Sequence, residues 1–547
     1  MARSVLAGAL QRLAAQYRAA DALGVPVESV QEMTPDEVRE GLTRRNLLKG
    51  AALAAGAVGL GQVPMSVPAA RAATAPRIAI VGAGISGLAA ALRLQDSGLA
   101  STVYEANSRI GGRMFSNSTT WANGQVSEWG GELIDTGHKV IQGLAKRFSI
   151  GLDNLVQAEP SSAEPTYFFA GAYYPYAQAT KDFQAVHQAI TADMQTFTWP
   201  VVWNSNTPAG VALSNLSIYD WIETRVPGGH ASNMGKLLDV AYNIEYGGES
   251  RDQTSLNLLG LLAYQPSPGQ FSIFGASDER YHMRGGNQQL PKAIAAALPA
   301  KSINTGWALT TLVRNADGTQ TLTFSVGTQT RTVVADHTIL AVPLGILKTL
   351  NFSAAGFDAR KLGQIASMRM GRNDKLQLQF TRRLWNGTGT WPGVSSGESY
   401  ADTGYQNTWD VTRAQPGTEG ILVDYTGGDV AGAFTASRPF LDQSSPQVRA
   451  YARTFLTQLE PVFPGITALW NGRATLSDWP SNPYSLGAYC YWPTSYCQNY
   501  AGYERVRQGN THFGGEHCSI DFQGYMEGGA QEGQRAALEV LGDYGLK

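Results

Sequence analysis

Residues 77–87 constrain the fold more than any other stretch of the chain. Arg77-Ile-Ala-Ile-Val81 is short, apolar and β-branched, as a buried parallel strand requires. Gly82-Ala-Gly84-Ile-Ser-Gly87 follows without a gap, and Leu88 to Leu94 is rich in helix formers. G-x-G-x-x-G between a strand and a helix is the dinucleotide fingerprint in the context it needs. Gly82 permits the tight turn, Gly84 lets backbone approach a pyrophosphate, and Gly87 lets helix and strand pack closely. The helix N-terminus then faces the phosphates. A second strand, Ser101 to Tyr104, ends in Glu105, placed where an acid binds ribose hydroxyls.

A chain of 547 residues is long enough for two to four domains, or for two built from discontinuous segments. Its hydrophobic share of 43% supplies a large core. The formal net charge of -2 leaves no basic surplus, which excludes dedicated nucleic-acid binding. Three cysteines (Cys490, Cys497 and Cys518) are too few for a disulfide scaffold and lack metal-site spacing, so no metal is expected. Whether Cys490 and Cys497 bridge is left open. His138, His282, His512 and His517 are dispersed and read as structural, or as supporting residues behind the site.

Thr43-Arg44-Arg45-Asn-Leu-Leu-Lys49 precedes an uncharged, small-residue run from Gly50 to Gly61. That run is too short to span a membrane. With the A-x-A site at Ala70-Arg71-Ala72 it reads as a cleaved signal peptide. The arginine pair resembles the twin-arginine export signal. The mature protein is expected to start near Ala73, without a stable membrane anchor, in the periplasm or outside the cell. Residues 1–42 form an upstream extension of unassigned use.

Ala106-Asn107-Ser108-Arg109-Ile110-Gly111-Gly112-Arg113 continues directly from Glu105. E-A-x-x-R-x-G-G-R resembles the second phosphate-binding stretch of the glutathione-reductase-type FAD fold in its amine oxidase branch. Further stretches resemble the same family. These are Arg284-Gly-Gly-Asn287, Val342-Pro-Leu-Gly-Ile-Leu-Lys348, Trp479 to Tyr489, and Gly515-Glu516 followed by Gly524-Tyr525-Met526-Glu527-Gly528-Gly529. They bracket nearly the whole mature chain, which thus resembles the flavin-containing amine oxidases, a group embracing monoamine, polyamine and L-amino-acid oxidases.

The resemblance implies an α/β plus α+β architecture: a Rossmann FAD-binding domain with an inserted substrate domain. Residues 73–150, 281–348 and 473–547 are expected in the first, and 151–280 and 349–472 in the second. Cofactor contacts are expected from Gly82, Gly84, Ser86, Gly87, Glu105, Ala106, Arg109, Gly112, Arg113, Gly130 and Gly131. Glu132, Leu309, Trp479, Gly515, Glu516, Tyr525 and Met526 complete that set. Tyr489 and Tyr525 match an aromatic cage over the flavin, and Lys348 matches a lysine holding water at flavin N5. Glu132 is a further candidate for substrate binding, by attraction of a cationic amine. Ala488 stands where animal monoamine oxidases carry the flavin-linking cysteine, so FAD is expected to bind non-covalently. Amino-acid oxidases of animal type place an arginine near Glu132, which this chain lacks.

The implied reaction is oxidation of an amine by FAD with dioxygen as acceptor, giving an imine and hydrogen peroxide. The partners are a small amine and O2, and an oligomer is compatible with the sequence. The alternatives are an L-amino-acid oxidase with its arginine elsewhere, a flavin dehydrogenase passing electrons to a carrier protein, and a flavin-binding protein without activity.

Overall fold

In the computed structural model, residues 75–266 and 271–546 are described. The arginine pair Arg44–Arg45, its apolar run and the A-x-A site lie outside them. Ile78–Val81 is buried at every position and forms the centre of a five-stranded parallel sheet. The sheet order is Thr511–Phe513, His337–Leu340, Ile78–Val81, Thr102–Glu105 and Ile303–Thr305. The helix Ile85–Asp96 returns from the glycine turn and buries its Leu88, Ala91 and Leu92. The long helix Met526–Asp543 packs against it through Ala530, Ala537 and Val540. A three-stranded antiparallel sheet, Trp307–Arg314, Gln320–Val326 and Gln329–Ala335, adds a second apolar cluster beside Tyr104 and Leu340.

Gly87 shows why the fingerprint needs glycine at its third position. A Cβ there would lie 1.9 Å from the Gly82 carbonyl oxygen, so helix and turn could not sit as they do.

The second large element is an eight-stranded sheet that includes Ala163–Phe169, Asn373–Phe380, Val394–Ala401, Asn407–Asp410, Gly420–Gly427 and Trp470–Asp478. Two strand pairings cross the expected boundaries. Trp470–Asp478 pairs with Asn373–Phe380, so residues 473–478 belong to this sheet. Leu152–Asn154 pairs with Tyr281–Met283.

The strand Asn373–Phe380 is buried throughout and two-faced. Leu376, Leu378 and Phe380 enter an apolar cluster with Leu422 and Leu476. Lys375, Gln377 and Gln379 occupy the other face and donate to the backbone of Gly130, Glu128 and Ala122. Those bonds lock the large sheet onto the loop that follows the second phosphate-binding stretch. None of the three cysteines is in a disulfide. Among the described residues no helix is long and apolar enough to cross a membrane.

Candidate active site

One cavity of about 450 Å³ runs from the fingerprint turn to the inner face of the large sheet. Its outer end is lined by Gly82, Gly84, Ser86, Glu105, Ala106, Arg109, Gly112, Arg113 and Leu309. Gly130, Gly131, Glu132, Trp479, Gly515, Glu516 and Met526 line its middle. Of the expected cofactor contacts only Gly87 lies off the wall, because it packs helix on strand from behind.

The outer end fits a dinucleotide. The helix Ile85–Asp96 starts at Gly84 with no side-chain cap and no acid in its first turn, which leaves its N–H groups for an anion. The buried Ser86 hydroxyl, also in that turn, has no partner among the described residues. Glu105 is held by the backbone N–H groups of Ala83 (2.7 Å) and Asn107 (2.8 Å). Arg109 stacks its guanidinium on Phe115 at 4.1 Å. Arg113 does not reach out alone: it donates to the Ala488 carbonyl (2.7 Å) and to Glu516 (2.9 Å).

The motif residues singled out in the sequence also hold one another. Asn287 donates to the carbonyls of Gly131 and Glu132, fixing that turn. Gly345 packs so closely on the Ser485 carbonyl that a Cβ would stand 2.4 Å away.

Both expected cage tyrosines line the inner cavity. Tyr489 exchanges a hydrogen bond with Tyr425 at 2.7 Å and donates to the Ile244 carbonyl. Tyr525 donates to Glu245 at 2.8 Å. The phenols are thus anchored and the rings are left to the cavity.

Lys348 is not there. It caps the short helix Leu344–Leu347, is exposed, and donates to the carbonyls of Ala366 and Met368. The lysine in the cavity is Lys375, on the polar face of the buried strand. Its ammonium lies 2.7 Å from Glu132 and 3.0 Å from the Gly130 carbonyl, with the rings of Trp409 and Tyr425 nearby. Glu132 takes a second bond from Trp409 at 2.9 Å. Burial opposes its charge, but the Lys375 ammonium and these bonds win, and its carboxyl is held below the usual range. Glu132 is therefore a charge-compensated residue, and a weaker lure for an amine than an unpaired carboxylate.

Sequence reasoning missed the inner wall, which comes from the two segments without readable motifs. Glu245, Phe274, Glu279, Glu398, Tyr400, Trp409, Arg413 and Tyr425 all line it. Lys375 had one signal: the alternation in Lys375-Leu-Gln-Leu-Gln-Phe380 puts a lysine on the polar side of a strand whose other side is core.

Away from the cavity, His337, His512 and Asp543 lie close together. Arg507 already pairs with Asp543, and His512 is bound to Glu539, which accounts for the group without an ion.

With this geometry in place the comparisons decide the family. A family model described as flavin containing amine oxidoreductase matches residues 85–541. The chain belongs to that family. This amine oxidoreductase is similar to an L-amino-acid oxidase of Mus musculus, at 23% identity over 489 residues, 86% of this chain and 71% of the relative. It is 24% identical over 547 residues to a pseudooxynicotine dehydrogenase of a Pseudomonas species, covering 92% and 97% of the two chains. Among solved structures, cyclohexylamine oxidase from Brevibacterium oxydans IH-35A matches with a TM-score of 0.72 at 23% identity, covering 86% of this chain and 99% of that one. This amine oxidoreductase is thus a flavin enzyme acting on small amines or amino acids.

Three buried acids predict a pH dependence of stability. Burial pushes Glu245 up to about 8. Burial and the Asp478 charge push Asp374 up to about 8, and burial with Glu159 pushes Glu398 to about 7. The folded chain keeps these protons after the unfolded chain has lost them, so stability falls as pH rises through that range. His337 and His517, lowered to about 4, act in the opposite sense, but their effect is complete near the ordinary histidine pKa of about 6.5. The melting temperature of the flavin-loaded enzyme should therefore drop between about pH 6.5 and about pH 8. A rise across that window would contradict these burial assignments.

Proposed function

We propose that this enzyme oxidises a cationic amine, in preference to an L-amino acid, using non-covalent FAD and dioxygen. The observation that carries the reading is the makeup of the inner cavity, where carboxyl groups outnumber basic ones. Its one lining arginine, Arg413, is already paired with Glu159 at 2.6 Å and donates to the Asp410 carbonyl. Three carboxyl groups, Glu245, Glu279 and Glu398, line the same region without an ion-pair partner among the described residues. A substrate carboxylate would meet no free guanidinium fork there, and an ammonium would meet acceptors.

When bound, FAD supplies the ring that accepts a hydride from the carbon next to nitrogen, and dioxygen then restores it. The chain supplies position. Tyr489 and Tyr525 present anchored rings, whose faces attract an amine or its cation. Lys375 spends two of its three N–H donors on Glu132 and Gly130, and the third is left for a water in the cavity. Its fixed positive charge also favours the anion formed as oxygen is reduced. The imine product hydrolyses in water to an aldehyde or ketone and ammonia. Peroxide production across amines and L-amino acids tests the preference. An L-amino acid favoured about tenfold over every amine, a difference of about 1.4 kcal/mol, would reverse it.

Non-covalent binding is supported by Ala488, which lines the cavity, and by Cys490, which does not: its thiol donates to Glu516 at 3.0 Å. Acid precipitation of the yellow enzyme should release all flavin to the supernatant. Flavin retained in the pellet would refute this.

Export through the twin-arginine route is part of the same proposal, supported by Arg44 and Arg45 before the short apolar run. Changing both arginines to lysine should leave the enzyme inside the cell. Normal export of that variant would point to another route.

A further inference from the structure

The cavity does not end at the cage tyrosines. Beyond them it continues to a wall made by four separate elements. Glu245 comes from the helix Asn233–Tyr246 and Glu279 from the loop before Tyr281–Met283. Glu398 and Tyr400 come from the strand Val394–Ala401, and Arg413 follows the strand Asn407–Asp410. Phe274, Trp409 and Tyr425 fill the space between them with aromatic surface.

Carboxyl groups outnumber basic groups at this wall. Arg413 is neutralised by Glu159, and Lys375 by Glu132. Glu245 is held by the Tyr525 hydroxyl, and Glu398 interacts with the Tyr400 hydroxyl. Each of these two carboxyls therefore has a fixed orientation and no ion-pair contact among the described residues. Glu279 has its backbone N–H on Asp135 and lies against the other two acids and Arg413. An enclosed, aromatic-walled space with excess carboxyl groups is complementary to a positively charged group.

We propose that the inner wall is a binding site for a second cationic nitrogen of the substrate, read by Glu279 and Glu398 while the first nitrogen sits between Tyr489 and Tyr525. The substrate is then a dication whose two nitrogens are separated by a short apolar chain. This rests on the amine-oxidation reading above and narrows it. Burial raises all three acids, Glu279 well above the usual carboxylate range, and the Arg413 charge beside Glu279 and Glu398 opposes it only in part. A bound ammonium would let them ionise, so protons should be released on binding.

The second nitrogen has two chemical sources, a diamine or the side chain of a basic amino acid, and the test separates them. Using the flavin-loaded enzyme, kcat/KM is compared for cadaverine against pentylamine and for L-lysine against L-norleucine. The dication of at least one pair should be favoured about tenfold or more, the size of one charge-assisted hydrogen bond. Glu279→Gln and Glu398→Gln, singly and together, should shrink that ratio, mainly through a higher KM for the dication. Glutamine keeps the shape of each side chain. Should the double variant lose its flavin, each single variant still reports the ratio. Equal rates within both pairs, or a ratio unchanged in the glutamine variants, would overturn the inference. L-Lysine favoured over cadaverine would keep the second-cation site and refute the preference for simple amines. No flavin reduction by any of the four compounds would instead count against the amine reading itself.

Discussion

Lys375→Met is expected to slow the return of reduced enzyme to its oxidised form by about a hundredfold, the low end of what losing one preorganised donor to a developing anion costs. Reduction by substrate should suffer less, because the anchored phenols of Tyr489 and Tyr525 remain. The variant should also be less stable. Glu132 would stay buried with only Trp409 as partner, and stranding one member of a buried ion pair costs about 3–5 kcal/mol. Adding Glu132→Gln to Lys375→Met should recover part of that stability without recovering the rate. Lys348→Met should do neither, since that ammonium is exposed and serves only two carbonyls. Rapid mixing separates the two half-reactions. Equal slowing in the Lys348 variant would mean the reacting end of the cavity has been misplaced.

The fingerprint glycines should separate packing from cofactor contact. Gly87→Ala places a methyl 1.9 Å from the Gly82 carbonyl oxygen, with backbone on both sides of the clash. Overpacking of this kind costs about 1–3 kcal/mol or more, and it displaces the turn that meets the phosphates. The variant should be less stable even without flavin, and should purify nearly colourless. Gly84→Ala is different. Its methyl would meet nothing closer than the Gly112 Cα at 4.0 Å, so the flavin-free chain should keep its stability. The methyl would instead project where Gly84 lines the cavity, and flavin affinity should fall. Melting curves with and without added FAD distinguish the two. If Gly84→Ala binds FAD normally, the phosphate-facing role of that turn is wrong.

The cofactor end was legible because its chemistry is local. A strand, three glycines and a helix start within a dozen residues dictate a phosphate cradle, and Glu105 follows one strand later. The later motifs were legible for a related reason. Asn287, Gly345 and Arg113 each touch another motif, so each carries a residue type that close contact demands.

The inner wall was not legible. Glu245, Glu279, Glu398 and Arg413 lie in stretches with no short-range pattern, and only the sheet brings them together. Lys348 misled because a motif lysine one turn past a strand looks poised, whereas its helix directs it outward. The pairing across residue 473 was not legible because Trp470–Asp478 is a strand of the large sheet that runs directly into the last motif segment.

The central claim is that this cavity removes hydride from an amine. It is tested most directly by mixing the flavin-loaded enzyme with cadaverine and with L-norleucine in the absence of oxygen. The account predicts that cadaverine bleaches the flavin absorbance to completion, that admitted oxygen restores it with one peroxide per flavin, and that L-norleucine bleaches it far more slowly. Rapid bleaching by L-norleucine with cadaverine inert would contradict the account.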